Sequence, residues 1–170
     1  DLLRALALLP PPLHWRLTHI GIGPLLDDLK AAAGTLGIAD RVRWLGSQSH
    51  PAVLDAYRVA DIFALPCRVS ADGDRDGLPN VLLEAQSQKL PCISTTVSGI
   101  PELIDDGATG LLVAPRDPAA LAGALSRLVT DPALRARLGD AGYLRATEGF
   151  SMNAGADHLA ARFAACVPAA

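Results

Sequence analysis

Short apolar runs alternate with amphipathic stretches along most of the chain. The runs are brief, largely apolar and soon followed by glycine, proline or polar residues, which predicts strands over 15–20, 42–45, 62–65, 92–95 and 110–113. The amphipathic stretches predict helices over 1–9, 25–36, 53–60, 79–89, 118–129, 132–146 and 151–165, with a helical turn over 101–104. Mostly apolar strands that alternate with helices favour an α/β, Rossmann-like fold, in which a parallel sheet is flanked by helices on both faces.

A fold of this class suggests where a ligand would bind. Parallel α/β sheets bind ligands beyond the carboxyl ends of their strands, where the strand-to-helix loops gather. The predicted loops at that edge are 21–24, 46–50, 66–77 and 95–99. We therefore look for functional chemistry in these four segments.

The segment 76–85, which reads DGLPNVLLEA, carries the most specific local chemistry. Gly77 provides a flexible turn, and Pro79 suits the first helical position, so a helix is predicted to begin here. A helix N-terminus attracts anions, because its free N–H groups and the helix dipole both favour negative charge. Asp76 lies before this terminus and Glu84 lies inside the helix. The arrangement suits a sugar nucleotide, with phosphates at the helix tip and hydroxyls on the carboxylates.

Composition narrows the classes of partner. The 170 residues suffice for one domain with a sizeable core, the net charge is −3, and no basic block of the kind found in nucleic-acid-binding proteins is present. No apolar run approaches the roughly 18–20 residues of a membrane span. Cys67, Cys92 and Cys166 form neither a Cys-x-x-Cys pair nor a metal set with the four histidines. We therefore expect reduced thiols in a cytosolic protein and no nucleic-acid partner.

Two aromatic residues and the histidines are assigned no direct role. Trp44 and Tyr57 are interpreted as core residues rather than platforms for base stacking. The histidines are interpreted as surface or edge residues.

Several segments, in order along the chain, together resemble one protein family. They are DGLPNVLLEA at 76–85, LPCIST at 90–95 and SGIPELI at 98–104, with further matches at 21–24, 41–46, 60–66, 106–113 and 150–151. The set resembles the C-terminal, donor-binding domain of glycosyltransferase family 4, whose members are retaining enzymes with the GT-B fold. The loop 71–76 resembles the bacterial exopolysaccharide, colanic-acid-type branch. The resemblance implies that residues 1–170 form a single nucleotide-sugar-binding domain, one half of a GT-B fold.

The resemblance implies distinct roles for the two acids. Glu84 matches the second glutamate of the family's pair and would accept hydrogen bonds from the ribose hydroxyls of the nucleotide. Asp76 stands where the first glutamate contacts the donor sugar, and its side chain is one methylene shorter. A plain turn role for Asp76 and a solvated surface role for Glu84 stay open as alternatives.

The remaining contacts implied by the resemblance come largely from backbone. Those to the donor sugar and diphosphate would come from the loop and helix tip at Gly77, Leu78, Pro79 and Asn80, although Pro79 has no N–H to donate. Gly21 and Gly23 would form a tight turn beside the bound nucleotide. Because Gly-x-Gly without a third glycine is not the dinucleotide fingerprint, a purely structural turn stays open there.

The resemblance also implies parts that the chain does not contain. The phosphate-binding arginine and lysine of the family, the first strand of the domain and the N-terminal acceptor domain would all precede residue 1. The first residues are neither a signal peptide nor a methionine start. We therefore expect a fragment that is inactive by itself, and we assign no catalytic residue within it.

The resemblance also implies the binding partners and the cellular location. The expected partners are a nucleoside diphosphate sugar, the N-terminal domain of the same protein, and a glycan or lipid-linked acceptor. The expected location is the cytoplasm, with peripheral contact at the inner face of the cell membrane as one option for the full enzyme.

One acidic pair raises the question of a metal site, and two other functions stay open. Asp72 and Asp74 form an Asp-x-Asp pair, but such metal sites belong to a different glycosyltransferase fold. The resemblance implies an enzyme that needs neither a metal nor a cofactor. Two other functions stay open: a GT-B epimerase or phosphorylase, and a non-catalytic sugar-nucleotide-binding module, which the shorter acid at Asp76 would permit.

Overall fold

Helices and strands alternate along the part of the chain that the computed structural model describes, which is residues 1–151, 155–156, 160 and 162–163. The strands are β1 (Leu17–His19), β2 (Val42–Trp44), β3 (Phe63–Leu65), β4 (Cys92–Thr95) and β5 (Leu111–Val113). The helices are α1 (Leu2–Ala7), α2 (Leu26–Thr35), α3 (His50–Val59), α4 (Asn80–Ser87), α5 (Ile100–Leu103), α6 (Pro118–Thr130) and α7 (Pro132–Gly149), with a 3-10 turn at Ala39–Arg41. The expected helix over 151–165 falls largely outside the described residues.

The strands are parallel, as predicted, but they form two sheets rather than one. Strand β1 pairs with β2, and the other sheet has the order β3-β4-β5. Within the described residues, no strand pairs with the remaining edge of β1 or of β3. Consistent with an open edge, β3 is half-buried along its length, whereas the central strand β4 is buried throughout.

An apolar core joins the two sheets. Ile93 and Leu111 of the three-stranded sheet are buried in one cluster with residues of α1 and α6, and Leu17 and Val42 of the two-stranded sheet pack against it. A second cluster packs α3, α4 and α5 together on the other face of β4; its buried members are Tyr57, Leu82, Ala85, Leu90, Cys92, Val97, Ile100, Leu103 and Ile104. Successive residues of β4 therefore face different clusters, as the alternation of a strand covered on both faces requires.

Local chemistry sets the helix starts that border the candidate site. Helix α3 begins at His50 rather than at 53, because Ser49 is the extended N-cap and a proline occupies the first turn. Helix α4 begins at Asn80, one residue later than predicted, because Pro79 is extended (φ −63°, ψ 122°) and serves as the N-cap. Both differences shift a boundary and leave the element itself in place.

Helix α7 packs closely on α4 and on the turn that follows it. A β-carbon at Gly139 would overlap the carbonyl oxygen of Lys89. A β-carbon at Gly142 would lie 3.0 Å from both Nε2 of Gln86 and the carbonyl oxygen of Thr109. Gln86 is fully buried, and its Nε2 donates to that Thr109 carbonyl at 3.1 Å. Two glycines of α7 thus set the distance between the helices.

We expect Gly139→Ala to lower the free energy of unfolding by about 1–3 kcal/mol, because the added methyl has no room beside the Lys89 carbonyl. Gly123→Ala in α6 is the matched control, since nothing lies within 4 Å of its β-carbon position. The control should gain up to about 1 kcal/mol through helix propensity. Urea unfolding followed by circular dichroism measures both. Equal stability of the two variants would contradict the close contact.

Candidate functional site

Buried hydroxyls at the end of β4 hold the loop 66–77 at the carboxyl edge of the sheet. Ser94 and Thr95 are 0% and 1% exposed. The Ser94 hydroxyl donates to the Leu65 carbonyl at 2.7 Å, and the Thr95 hydroxyl donates to the Cys67 carbonyl at 2.6 Å. Hydrogen bonds of this kind offset the cost of burying polar groups in an apolar core. The start of the loop is therefore fixed to the neighbouring strand.

The end of the same loop is fixed by a glycine contact. The Gly99 N–H donates to the Gly77 carbonyl at 2.9 Å, and a β-carbon at Gly99 would lie 3.2 Å from that oxygen. The preceding residue, Ser98, has φ 51°, a left-handed conformation that non-glycine residues adopt infrequently. The turn before α5 thus abuts the turn before α4, and both lie at the same edge.

The tip of α4 is open. No side chain caps this helix, and its N-cap Pro79 is buried. Asp76, Gly77 and Asn80 are exposed, and Leu78 is half-buried. The structure therefore brings the predicted donor-sugar set together around one helix N-terminus. Such a terminus favours a bound anion.

Glu84 lies in the second turn of α4, and its side chain is 32% exposed. Helix α3 approaches both carboxylate oxygens. The Tyr57 hydroxyl donates to Oε2 across 3.5 Å, and Nε2 of His50 lies 4.0 Å from Oε1. Sequence reasoning assigned neither residue a role, because His50 and Tyr57 reach Glu84 only when α3 and α4 pack side by side.

Burial and neighbouring charges keep one phenol and two thiols near the site protonated. Burial, and then the charge of Glu84 and the hydrogen bond to it, raise the pKa of Tyr57 to about 12. Burial raises the pKa of the Cys92 thiol well above its usual range. Burial, followed by the Asp76 charge, also raises the pKa of the Cys67 thiol. Both thiols are therefore protonated near neutral pH and unsuited to attack or to metal binding.

Gly21 and Gly23 lie beyond the other sheet. The Gly21 N–H donates to the Gly46 carbonyl at 2.8 Å, and φ at Gly21 is 139°, which favours glycine. A β-carbon at Gly23 would meet nothing within 4 Å. In the described part of the chain, no hydrogen bond or ion pair joins either glycine to the α4 group. The link is indirect: Gly46 begins the loop that leads to His50, and His50 lies beside Glu84.

The Asp-x-Asp pair is organised as a turn. The Asp74 N–H donates to Oδ1 of Asp72 at 3.2 Å, within the exposed loop. No three histidine, cysteine, aspartate or glutamate side chains of the described residues cluster as metal ligands would. Nor does any described helix combine the length and apolar character needed to cross a bilayer. Trp44 and Tyr57 pack into the core, as the sequence predicts.

Comparison with known proteins identifies the family. A family model described as glycosyl transferases group 1 matches residues 1–131. The chain belongs to this family. It is 40% identical over 111 residues to the amylovoran biosynthesis glycosyltransferase AmsK of Erwinia amylovora. This match covers 65% of this chain and 27% of AmsK.

A second relative and a solved structure extend the comparison. The chain is 37% identical over 130 residues to the GDP-mannose-dependent alpha-(1-6)-phosphatidylinositol monomannoside mannosyltransferase of Mycolicibacterium smegmatis. This match covers 74% of this chain and 33% of that protein. The crystal structure of Anabaena Alr3699/HepE in complex with UDP-glucose matches with a TM-score of 0.81 and 21% identity, over 96% of this chain and 44% of that one. This likeness confirms the α/β, Rossmann-like fold, since such neighbours have the GT-B fold. The chain spans between about a quarter and a third of the length of the two relatives.

Tyr57 makes the stability of the fold sensitive to alkaline pH. Its pKa is about 12 in the folded protein and near 10 when unfolded. Between these values the folded state holds more protons than the unfolded state. The stabilisation is therefore complete below about pH 10 and is lost as the pH rises toward 12.

We expect the free energy of unfolding to fall over this interval more steeply in the wild-type chain than in Tyr57→Phe, which lacks the phenol. Urea unfolding at a series of alkaline pH values measures both slopes. Identical slopes would show that Tyr57 is not the group responsible.

Proposed function

We propose that this chain is the donor-binding domain of a retaining glycosyltransferase, which moves a sugar from a nucleoside diphosphate sugar to a glycan or lipid-linked acceptor. The observation that carries the proposal is the tip of α4, where no side chain caps the helix, Asp76, Gly77 and Asn80 are exposed, and the half-exposed Glu84 follows one turn later. Family membership and the UDP-glucose complex of HepE on the same fold support it.

In this proposal the two ends of the nucleotide sugar bind different parts of α4. The Glu84 carboxylate accepts hydrogen bonds from ribose hydroxyls, because two carboxylate oxygens suit a vicinal diol. The N–H groups of Gly77, Leu78 and Asn80 face the diphosphate and sugar, and Asp76 accepts from sugar hydroxyls. N–H groups directed at the diphosphate would stabilise the charge that develops as it leaves, so this domain contributes by positioning and electrostatic stabilisation. The turn at Gly21 and Gly23 borders the nucleotide from the other sheet.

The acceptor site lies outside the chain in this proposal. The chain spans 27% of AmsK and 33% of the mycobacterial mannosyltransferase, so most of each relative has no counterpart here. The open edges of β1 and β3 fit a further strand between the two sheets, because one core cluster already joins the sheets. We assign that strand, the phosphate-binding cations and the acceptor domain to sequence preceding residue 1.

Location and metal use follow from the same proposal. Cys67 and Cys92 are free thiols, which suits the reducing cytoplasm, and we place the protein there. A lipid-linked acceptor would be met at the inner face of the cell membrane. The reaction needs no metal, since backbone N–H groups and cations of the full enzyme would neutralise the diphosphate.

Two substitutions should affect different parts of the donor. Glu84→Gln should weaken binding of both a free nucleoside diphosphate and its sugar conjugate by roughly 10- to 100-fold, as loss of a charged hydrogen bond does. Asp76→Asn should weaken only the sugar conjugate. Ligand-observed NMR with UDP, GDP and ADP and with their glucose or mannose conjugates measures both effects.

Glu148→Gln is the control for this experiment, because Glu148 is an exposed glutamate on α7. It should leave every affinity unchanged. Unchanged affinities in Glu84→Gln would contradict the donor-site proposal, and an equal loss for both ligands in Asp76→Asn would remove its sugar role.

Without the acceptor half, the chain should not transfer sugar. Incubated with UDP-glucose or GDP-mannose and a glycan acceptor, it should release no more nucleoside diphosphate than Glu84→Gln does. The measurement is chromatographic detection of the released nucleotide. Release that depends on Glu84 would contradict the requirement for a second domain, and absence of transfer by a longer protein containing this chain would favour a non-catalytic module.

A further inference from the structure

Tyr57 combines a rigid, buried ring with a hydroxyl that contacts the Glu84 carboxylate. The residue is 8% exposed, and its ring stands nearly perpendicular to Phe63 at 88°, with ring centroids 5.5 Å apart. Leu82 and Ala85, two residues before and one residue after Glu84 on α4, lie in the same core cluster as Tyr57. The ring is therefore held by β3 and α4 together, and its hydroxyl emerges beside Glu84.

The hydroxyl contacts one oxygen of the carboxylate, and the Glu84 side chain as a whole stays partly exposed. The hydroxyl donates to Oε2 of Glu84 across 3.5 Å, while the Glu84 side chain stays 32% exposed. Hydrogen bonds at ligand sites are often long before the ligand arrives and shorten when it binds. The other oxygen, Oε1, lies 4.0 Å from Nε2 of the exposed His50.

A glutamate needs such a contact more than a shorter acid does. Its long side chain loses up to about 2 kcal/mol of rotamer entropy when it is fixed. A contact made on folding removes part of that cost from ligand binding. A neutral phenol suits this task, because a cation in its place would compete with the ligand for the carboxylate charge. A phenol is protonated at neutral pH, and burial, followed by the neighbouring Glu84 carboxylate, raises the pKa of Tyr57 further.

We propose that Tyr57 is a positioning residue for the nucleotide: its hydroxyl orients the Glu84 carboxylate so that this group accepts hydrogen bonds from the ribose diol. The proposal rests on the proposed function, since it assumes that Glu84 binds ribose. It assigns Tyr57 a second task beyond its part in the core.

The experiment compares four proteins: wild type, Tyr57→Phe, Glu84→Gln and the double variant. The probes are UDP and 2′,3′-dideoxy-UDP, titrated by ligand-observed NMR, with the GDP and ADP pairs used in the same way. The dideoxy probe lacks the diol, so the ratio of the two affinities reports contact with the ribose hydroxyls alone. Tyr143→Phe is the matched control, because Tyr143 is the other tyrosine of the chain and lies on α7 over Lys89.

We expect Tyr57→Phe to weaken binding of the ribose form roughly three- to tenfold, as loss of one neutral donor does, and to leave the dideoxy form unchanged. Glu84→Gln should have a larger effect on the same ratio. The double variant should bind no more weakly than Glu84→Gln, because the hydroxyl acts through that carboxylate. Tyr143→Phe should match the wild type.

Failure of this inference and failure of the proposed function give different results. Full affinity and ratio in Tyr57→Phe, with loss in Glu84→Gln, overturns the positioning role alone. Equal losses for both probes in Tyr57→Phe, or additive losses in the double variant, overturn it too, because they indicate a structural effect on the core. Unchanged binding in Glu84→Gln, or no binding by the wild type, overturns the proposed function.

Discussion

The close packing of α7 against α4 is the constraint on which the candidate site depends. Gly139 lies against the Lys89 carbonyl, and Gly142 lies beside the buried Gln86, so bulkier residues would separate the helices. Glu84 and Gln86 are about 200° apart around α4, since each residue turns the helix by about 100°. Holding the Gln86 side therefore also fixes the direction of Glu84. The contacts of α7 with the Gln86 side of α4 therefore set the direction in which the Glu84 side chain leaves the helix.

The candidate site also depends on polar side chains at the end of β4, which position the loop 66–77. Backbone hydrogen bonds join β4 to β3 only as far as Ser94, which pairs with Leu65. The hydroxyls of Ser94 and Thr95 add bonds to the carbonyls of Leu65 and of Cys67, which lies beyond the end of β3. The loop 66–77 therefore leaves the sheet along a defined path. Its far end, at Gly77, meets the turn before α5 through the Gly99 N–H.

The sequence predicts elements well where local signals mark them and fails where packing decides. Strand 92–95 has the predicted bounds, because Pro91 precedes it and the turn at Ser98 and Gly99 follows it closely. The start of α3 at His50 was missed, although Ser49 and the following proline are a readable N-terminal signal. The contact between Tyr57 and Glu84 has no local signal, because it depends on how α3 and α4 pack and joins residues 27 positions apart. The division into two sheets has a different origin in our proposal, which places a further strand between β1 and β3.

The two acids of the 76–85 segment differ in their surroundings more than in their length. Glu84 is half-exposed, with Tyr57 and His50 near its two oxygens, so folding has already restricted its side chain. Asp76 is exposed, and its carboxylate forms no hydrogen bond or ion pair in the described part of the chain. Ordering such a group costs entropy when the ligand binds. If both acids contact a nucleotide sugar, Glu84 should supply more of the affinity, while Asp76 should respond to the shape of the sugar. Their neighbours, not the residue types alone, therefore determine this division.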